Sequence, residues 1–345
     1  MEIVYVTYSK EASGINDYID EFLLKKFRGK RLYLVENFFE ILKQKNKIIH
    51  IHFDYKIFLI PYFFSLLFLL KLYRRKIVIT MHSYVPYTLA NESFETYFGK
   101  EFPYNILRIL GLIKPSLYIF NKLLYEFPDE IIFHSQCISK LHNIKEKIKI
   151  IHHPIHSSKK FTKKNSKIEN ILFLGQIFRH KGFDIFVNIA KRMPDKKFIV
   201  IFSYIDNNSN KDRIALNEAK KLNNFKIKKN ISKNNLQKLL QKTDLVIFPF
   251  LNALGFSNAL SKAISHRKTI LASDVGIFRN LNFIFKSKIN ANDFIDKIKD
   301  IEKIGKSSQL RKQNMKLMEM YSKKNNLEDF WMFHEKIYEK LIGSK

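Results

Sequence analysis

Ile171-Leu-Phe-Leu-Gly-Gln-Ile-Phe-Arg-His-Lys-Gly-Phe183 decides how this chain is read. Four uninterrupted apolar residues make a strand buried on both faces, and Gly175 ends it. A second glycine, Gly182, opens an apolar-periodic helix pattern at Phe183–Arg192. A loop that leads from a strand into a helix presents free backbone N–H groups and the positive end of a helix dipole, which suits a diphosphate. A second stretch fits beside it. Leu254-Gly-Phe-Ser-Asn-Ala-Leu-Ser-Lys-Ala-Ile-Ser-His266 reads as a glycine loop and helix with Ser257 as N-cap, and Thr269-Ile-Leu-Ala-Ser-Asp-Val-Gly276 as the next strand and turn.

Outward from these stretches the same alternation continues. Strands are predicted at Lys197–Phe202, Phe225–Lys228, Leu245–Phe248 and Thr269–Ala272, and helices at Lys211–Leu222, Lys233–Lys242 and Ser257–Ser265. The first half repeats the pattern. Ile3–Thr7, Arg31–Val35, Ile48–Phe53, Ile77–Met81, Ile131–His134 and Lys149–His152 read as strands, with helices at Gly14–Lys26 and Phe38–Lys45. Short apolar runs separated by helical patterns indicate a parallel sheet covered on both faces. The most apolar stretch, residues 57–70, is shorter than the roughly 20 residues of a spanning helix, and a buried crossover helix explains it. The polar, charged run His156–Lys167 reads as a linker. Residues 1–156 and 168–318 are thus expected as two α/β domains, with a C-terminal helix at 319–345 that returns to the first. The tail, Ala291–Lys303 and Gln309–Leu341, is helical and amphipathic.

The formal net charge is +29, which favours an anionic partner: nucleic acid, an anionic membrane surface or a phosphorylated substrate. No zinc-finger, RNA-recognition or helix-turn-helix signature accompanies the charge, so nucleic acid is set aside. Amphipathic segments at 104–114 and 117–125 suit either packing on the sheet or peripheral contact with an anionic membrane; packing is the commoner fate. One cysteine, Cys137, excludes an internal disulfide framework and fits a reducing, cytoplasmic setting, and the N-terminus reads as a strand rather than a leader. His50-Ile-His52 and His152-His153 lack a convergent carboxylate or cysteine set with ligand spacing, so no metal is expected. Neither a Gly-x-Ser-x-Gly elbow nor a cysteine motif points to a nucleophile.

Two such halves closed by a helix resemble the retaining glycosyltransferases of family 4. That family opens its second domain with Gly-Arg-Leu-x-x-x-Lys-Gly, and here the register reads Gly175-Gln-Ile-Phe-Arg-His-Lys-Gly182. Its Glu-Gly-Phe-x-x-x-x-x-Glu-Ala is similar to Leu254-Gly-Phe-Ser-Asn-Ala-Leu-Ser-Lys-Ala263, and its Gly-x-Pro-Val-x-x-x-Asp-x-Gly to Arg267–Gly276. The resemblance implies the GT-B architecture, two Rossmann-like domains with a cleft between them. It also implies a nucleotide-sugar donor as substrate, no cofactor, and a glycan or lipid-linked acceptor at the cytoplasmic membrane face.

By the same resemblance Lys181 stabilises the leaving diphosphate, Gly175, Gln176 and Arg179 line it, and Gly255, Phe256, Ser257 and Asn258 form the helix start beneath it. Gly14 corresponds to a backbone approach to donor phosphate, His82 at the end of a strand to a group near the transferred sugar, and Asn230-Ile231 to recognition of the base. The family's two glutamates fall on Leu254 and Lys262, and its diphosphate-binding arginine on Gln176, with Arg179 close in sequence. Leucine neither donates nor accepts a hydrogen bond and lysine only donates, so the ribose and sugar contacts are altered. This leaves two expectations: a divergent transferase, or a non-catalytic subunit of the same fold that supports an active partner.

Overall fold

The computed structural model describes residues 2–8, 13–45, 47–54, 60–82, 122–124, 126–134, 147–156, 167–205, 209–253, 255–305 and 308–343. Leu254, Cys137, most of the linker and nearly all of the amphipathic segments at 104–114 and 117–125 fall outside them. The chain divides into two compact units. One comprises Met1–Pro154, Leu254–Phe256 and Leu327–Lys345, and the other Ile155–Ala253 and Ser257–Asn326.

The first unit is built on a parallel sheet of six strands: β1 (Ile3–Thr7), β2 (Gly29–Tyr33), β3 (Ile48–Phe53), β4 (Lys76–Met81), β5 (Glu130–Phe133) and β6 (Ile148–Ile150), in the order β2-β1-β3-β4-β5-β6. Strand β2 starts two residues before its expected position. A Cβ at Gly29 would stand 2.3 Å from the Ile3 carbonyl oxygen, so this close pairing with β1 takes a glycine. Alternation divides the sheet's two faces. Val4, Val6, Ile49, Ile51 and Phe53 pack on α2 (Leu34–Lys43) and α3 (Ile60–Leu72), the latter being the apolar crossover helix. Ile3 and Tyr5 face α1 (Ser13–Tyr18), the π-helical turn Ile19–Leu23 and the last helix.

The second unit has its own six-stranded parallel sheet: β7 (Asn170–Leu174), β8 (Lys197–Phe202), β9 (Phe225–Lys229), β10 (Leu245–Phe248), β11 (Thr269–Ser273) and β12 (Phe285–Ser287). Its order, β12-β11-β10-β7-β8-β9, reverses between β7 and β10, the switch point beside which ligands bind in open α/β sheets. Its helices are α4 (Phe183–Arg192), α5 (Asn210–Lys220), α6 (Lys233–Lys242), α7 (Asn258–Ser265), α8 (Ala291–Ile304) and α9 (Gln309–Lys324).

The expected single tail helix is two helices. After α9 the chain breaks at Asn325 and Asn326, whose side-chain amides donate to the carbonyls of Tyr321 and Lys323. α10 (Leu327–Gly343) then belongs to the first unit. There Trp331 donates to the Phe22 carbonyl, and Lys340 pairs with the buried Glu130 at 2.5 Å. Among the described residues no helix is long and apolar enough to cross a membrane.

Candidate functional site

Parallel strands end at one edge, so the loops after β7, β10 and β11 are neighbours, and three glycines hold them together. Gly175 follows β7 at φ 136°, and a Cβ there would lie 3.8 Å from that of Ala259, which sets this loop beside the first turn of α7. Gly182, at φ 64°, leaves no room for a side chain: a Cβ would fall 1.9 Å from the Pro249 carbonyl oxygen. Gly276, at φ 47°, meets the Ala253 carbonyl in the same way at 2.0 Å, and Ile277 N–H donates to that carbonyl at 3.0 Å. Such conformations and approaches are open to glycine alone.

Over this framework the side chains take distinct positions. Lys181 closes a 3₁₀ turn and holds its ammonium 3.9 Å from the centroid of the Phe250 ring, an electrostatic seat for a cation. Arg179 is exposed, and its guanidinium has no partner among the described residues. Ser257 Oγ accepts from Leu260 N–H at 3.1 Å and so caps α7. Among the described residues Asn258 Oδ1 and Ser273 Oγ are buried without hydrogen-bond partners, two orphaned polar atoms at the start of α7 and the end of β11. Lys262, one turn along α7, is half-buried, and its ammonium has no partner among the described residues. Asn230 takes the left-handed conformation, φ 52°, after β9, with half-buried Ile231 next to it.

Gln176 has a different place from the one its register suggests. Its carbonyl oxygen accepts from Ser203 N–H at 3.1 Å and from Tyr204 N–H, while its amide donates to Ser203 Oγ at 2.6 Å. It ties the β7 loop to the end of β8, so its hydrogen-bonding groups are engaged inside the protein. Leu254 lies outside the described residues; Gly255 is half-buried, and Phe256 stacks on His153 with centroids 5.1 Å apart within the first unit.

Gly14 sits in the first turn of α1, exposed, with no described residue within 4 Å of where a Cβ would be. His82 closes β4 and belongs to a histidine cluster that the sequence reading missed. His50 and His52 share one face of β3. His50 Nδ1 meets Tyr338 Oη at 2.6 Å and its Nε2 meets Thr80 Oγ1 at 2.7 Å, while His52 Nδ1 meets His82 Nε2 at 3.0 Å. Tyr18 lies against His52, His82, His134 and His153 with centroids 4.9 to 5.7 Å apart. Six separate elements and loops contribute these rings, so no local sequence pattern announces them; buried histidines at strand ends are the one available signal.

Burial holds these imidazoles neutral. His82 is pushed well below the usual range by desolvation, then by His134, His153 and His50; His134 falls to about 4 and His334 to about 3 for the same first reason. Among the described residues His52 Nε2 is buried without a partner. A buried orphan N–H is rarer than a buried orphan lone pair, so we assign the proton of His52 to Nδ1, donating to His82 Nε2. His82 then carries its own proton on Nδ1, as a hydrogen-bond donor. Among the described residues no group of three or more His, Cys, Asp or Glu side chains is disposed to hold a metal ion.

Comparison with known proteins places this geometry. Residues 154–318 match the family model described as glycosyl transferases group 1. A curated relative, an uncharacterized 42.6 kDa protein in the cps region of Klebsiella pneumoniae, is 25% identical over 160 residues, 43% of this chain and 40% of the relative, so the match spans two fifths of that protein. Among solved structures, a glycosyltransferase from Rickettsia africae superposes with a TM-score of 0.67 at 14% identity, covering 100% of this chain and 99% of that one. Anabaena HepE in complex with UDP and glucose gives 0.68 at 12%, covering 98% and 99%. Sucrose-phosphate synthase from Thermosynechococcus elongatus gives 0.70 at 11%, covering 100% of both chains. At these identities the likeness is one of fold: two parallel six-stranded α/β units of the GT-B glycosyltransferase type.

Proposed function

We propose that the protein is a retaining glycosyltransferase of the family 4 type, moving a sugar from a nucleotide-sugar donor to a glycan or lipid-linked acceptor at the cytoplasmic membrane face. The observation that carries this reading is the glycine-held edge of the second sheet. There a capped helix start, two orphaned polar atoms and the cations of Lys181, Arg179 and Lys262 lie on linked loops. In the reaction the bond between the anomeric carbon and the diphosphate oxygen breaks as the acceptor oxygen bonds to that carbon, and the acceptor's hydroxyl proton passes to the leaving phosphate oxygen. Negative charge grows on the leaving diphosphate. Fixed N–H groups and an ammonium aimed at that charge lower the barrier, and in this reading they do so in place of a divalent ion. The resemblance gives Gly14 a backbone approach to the same diphosphate, and His82 a hydrogen bond from Nδ1 to the transferred sugar. HepE, whose structure holds UDP and glucose, supports starting with uridine donors.

A second reading is favoured by two particular residues. Gln176 is committed to Ser203 and Tyr204, and Lys262 offers no acceptor to a ribose hydroxyl. A subunit of this fold that stabilises an active transferase needs neither contact. Titration with a panel of nucleoside diphosphate sugars, together with release of free sugar, separates the two. Saturable binding and release, both abolished in Lys181→Ala, are expected of the transferase. A folded protein that binds no donor would leave the subunit reading standing.

A further inference from the structure

A cavity of about 470 Å³ opens in the second unit between the N-terminal ends of β10 and β11 and one face of α9. Its size falls within the range of small-molecule sites, roughly 300 to 1,000 Å³. The loops described above follow the opposite ends of the same two strands, so this cavity lies at the other edge of the sheet. Residues 311, 315 and 318, spaced four and three apart, bring one face of α9 to it.

The lining combines two chemistries. Phe283, Phe285, Ile270, Met315 and Met318 form an apolar wall. Arg267, Lys268, Arg311, Lys312 and Lys316 bring positive charge. The two carboxylates in the lining are already engaged: Asp244 accepts from the backbone of Glu169 and Asn170, and Glu319 pairs with Arg267 and Lys323.

Arg311 is the informative residue. It is only 7% exposed, and among the described residues its Nε–H is buried without a partner, no carboxylate stands within ion-pair distance of it, and its one side-chain hydrogen bond goes to the Ile301 carbonyl. Nearby Glu302 is taken by Lys196 and by Ile168 N–H. Removing a guanidinium from water is costly: desolvation works against its charged form first, and the nearby Glu302 charge offsets that only in part. Lys268, also 7% exposed, donates to the carbonyls of Gln241 and Thr243. A planar guanidinium fork and neighbouring ammoniums match a phosphate better than a single carboxylate, because they meet more than one negative oxygen.

We propose that this cavity is a second binding site, for an organic phosphate whose apolar body rests on Phe283, Phe285 and Met315 while Arg311 and the lysines hold the head. The phosphate has two conceivable sources, a soluble phosphate ester or a lipid headgroup, and the experiment tells them apart. Octyl phosphate, inorganic phosphate and neutral octyl glucoside are titrated calorimetrically into the full chain. Co-sedimentation is measured with phosphatidylcholine vesicles with and without phosphatidic acid. Octyl phosphate is expected to bind saturably, about tenfold or more tighter than inorganic phosphate, through its added apolar burial. Arg311→Met should remove this binding. Because that change also removes the bond to Ile301, the rim pair Lys312→Glu with Lys316→Glu, both exposed, provides a variant that leaves the fold intact and should weaken binding about fivefold or more. Octyl phosphate binding in solution assigns a soluble ester. Co-sedimentation alone, dependent on phosphatidic acid and lost in both variants, assigns a lipid headgroup.

Equal affinity for inorganic and octyl phosphate, equal affinity for octyl glucoside, indifference to both variants, or no binding at all would each overturn the proposal. Lys181→Ala should leave this binding unchanged, so a failure of the donor reading does not touch it.

Discussion

At Gly182 and at Gly14 glycine answers different demands. Gly182 combines a left-handed backbone with a carbonyl 1.9 Å from the place of a Cβ. Gly182→Ala should therefore lose at least about 2 kcal/mol of stability, through αL strain and displacement of the Pro249 loop, measured by urea unfolding. At Gly14 nothing among the described residues stands within 4 Å. Gly14→Ala should leave stability unchanged or raise it by up to about 1 kcal/mol, as alanine does in a helix. If backbone at Gly14 meets the donor, its affinity for a nucleoside diphosphate should still fall about tenfold. Unchanged affinity would remove Gly14 from the site. Gln176 marks where residue-level reading of the sequence stops. The register shows that an arginine is replaced, but only the fold shows that the glutamine is spent on Ser203 and Tyr204, far along the chain.

Elements were more legible than side-chain roles. Strands β1, β3, β8 and β10 and helices α4 and α6 have the boundaries their apolar patterns predict, because a buried parallel strand is a short apolar run and nothing else competes for it. Ser257 was readable as an N-cap, and Ser257→Ala should cost about 1 kcal/mol in thermal unfolding, since its hydroxyl satisfies the Leu260 N–H. Two features escaped. β12, Phe285-Lys-Ser287, is three residues long and interrupted by a lysine, so it has no periodicity to read. The break after α9 rests on asparagine amides turning back on the preceding carbonyls, which competes with helix continuation inside a stretch that is otherwise amphipathic throughout. The membrane reading of segments 104–114 and 117–125 falls largely on residues outside the described structure.

Taken as a whole molecule, the chain gathers five buried histidines of lowered pKa in one unit. His50, His52, His82, His134 and His334 all stand below their usual pKa by burial, and all belong to the first unit. Unfolded, each binds a proton near pH 6.5, whereas the folded unit takes none until far lower. The unfolded state thus binds more protons as pH falls, and stability present above pH 6.5 is lost progressively toward pH 4. His134 alone, with a pKa of about 4 against 6.5, accounts for about 3 kcal/mol over that window. The single tryptophan of the chain, Trp331, reports on this unit, its indole N–H bound to the Phe22 carbonyl. Its fluorescence transition in urea should move to markedly lower denaturant between pH 7 and pH 5. A transition that stays in place would mean that the histidines are not buried together. Tyr338→Phe, which strips His50 Nδ1 of its partner, should weaken the same transition by about 1 to 3 kcal/mol at pH 7.

That tryptophan lies on α10, and the consequence reaches into protein synthesis. The residues that finish the core of the first unit, Phe330, Ile337, Tyr338 and Leu341, leave the ribosome after every residue of the second. The first unit can therefore complete its core only after residues 155–326 have been made, and until then the N-terminal sheet lacks the helix that covers part of its apolar face.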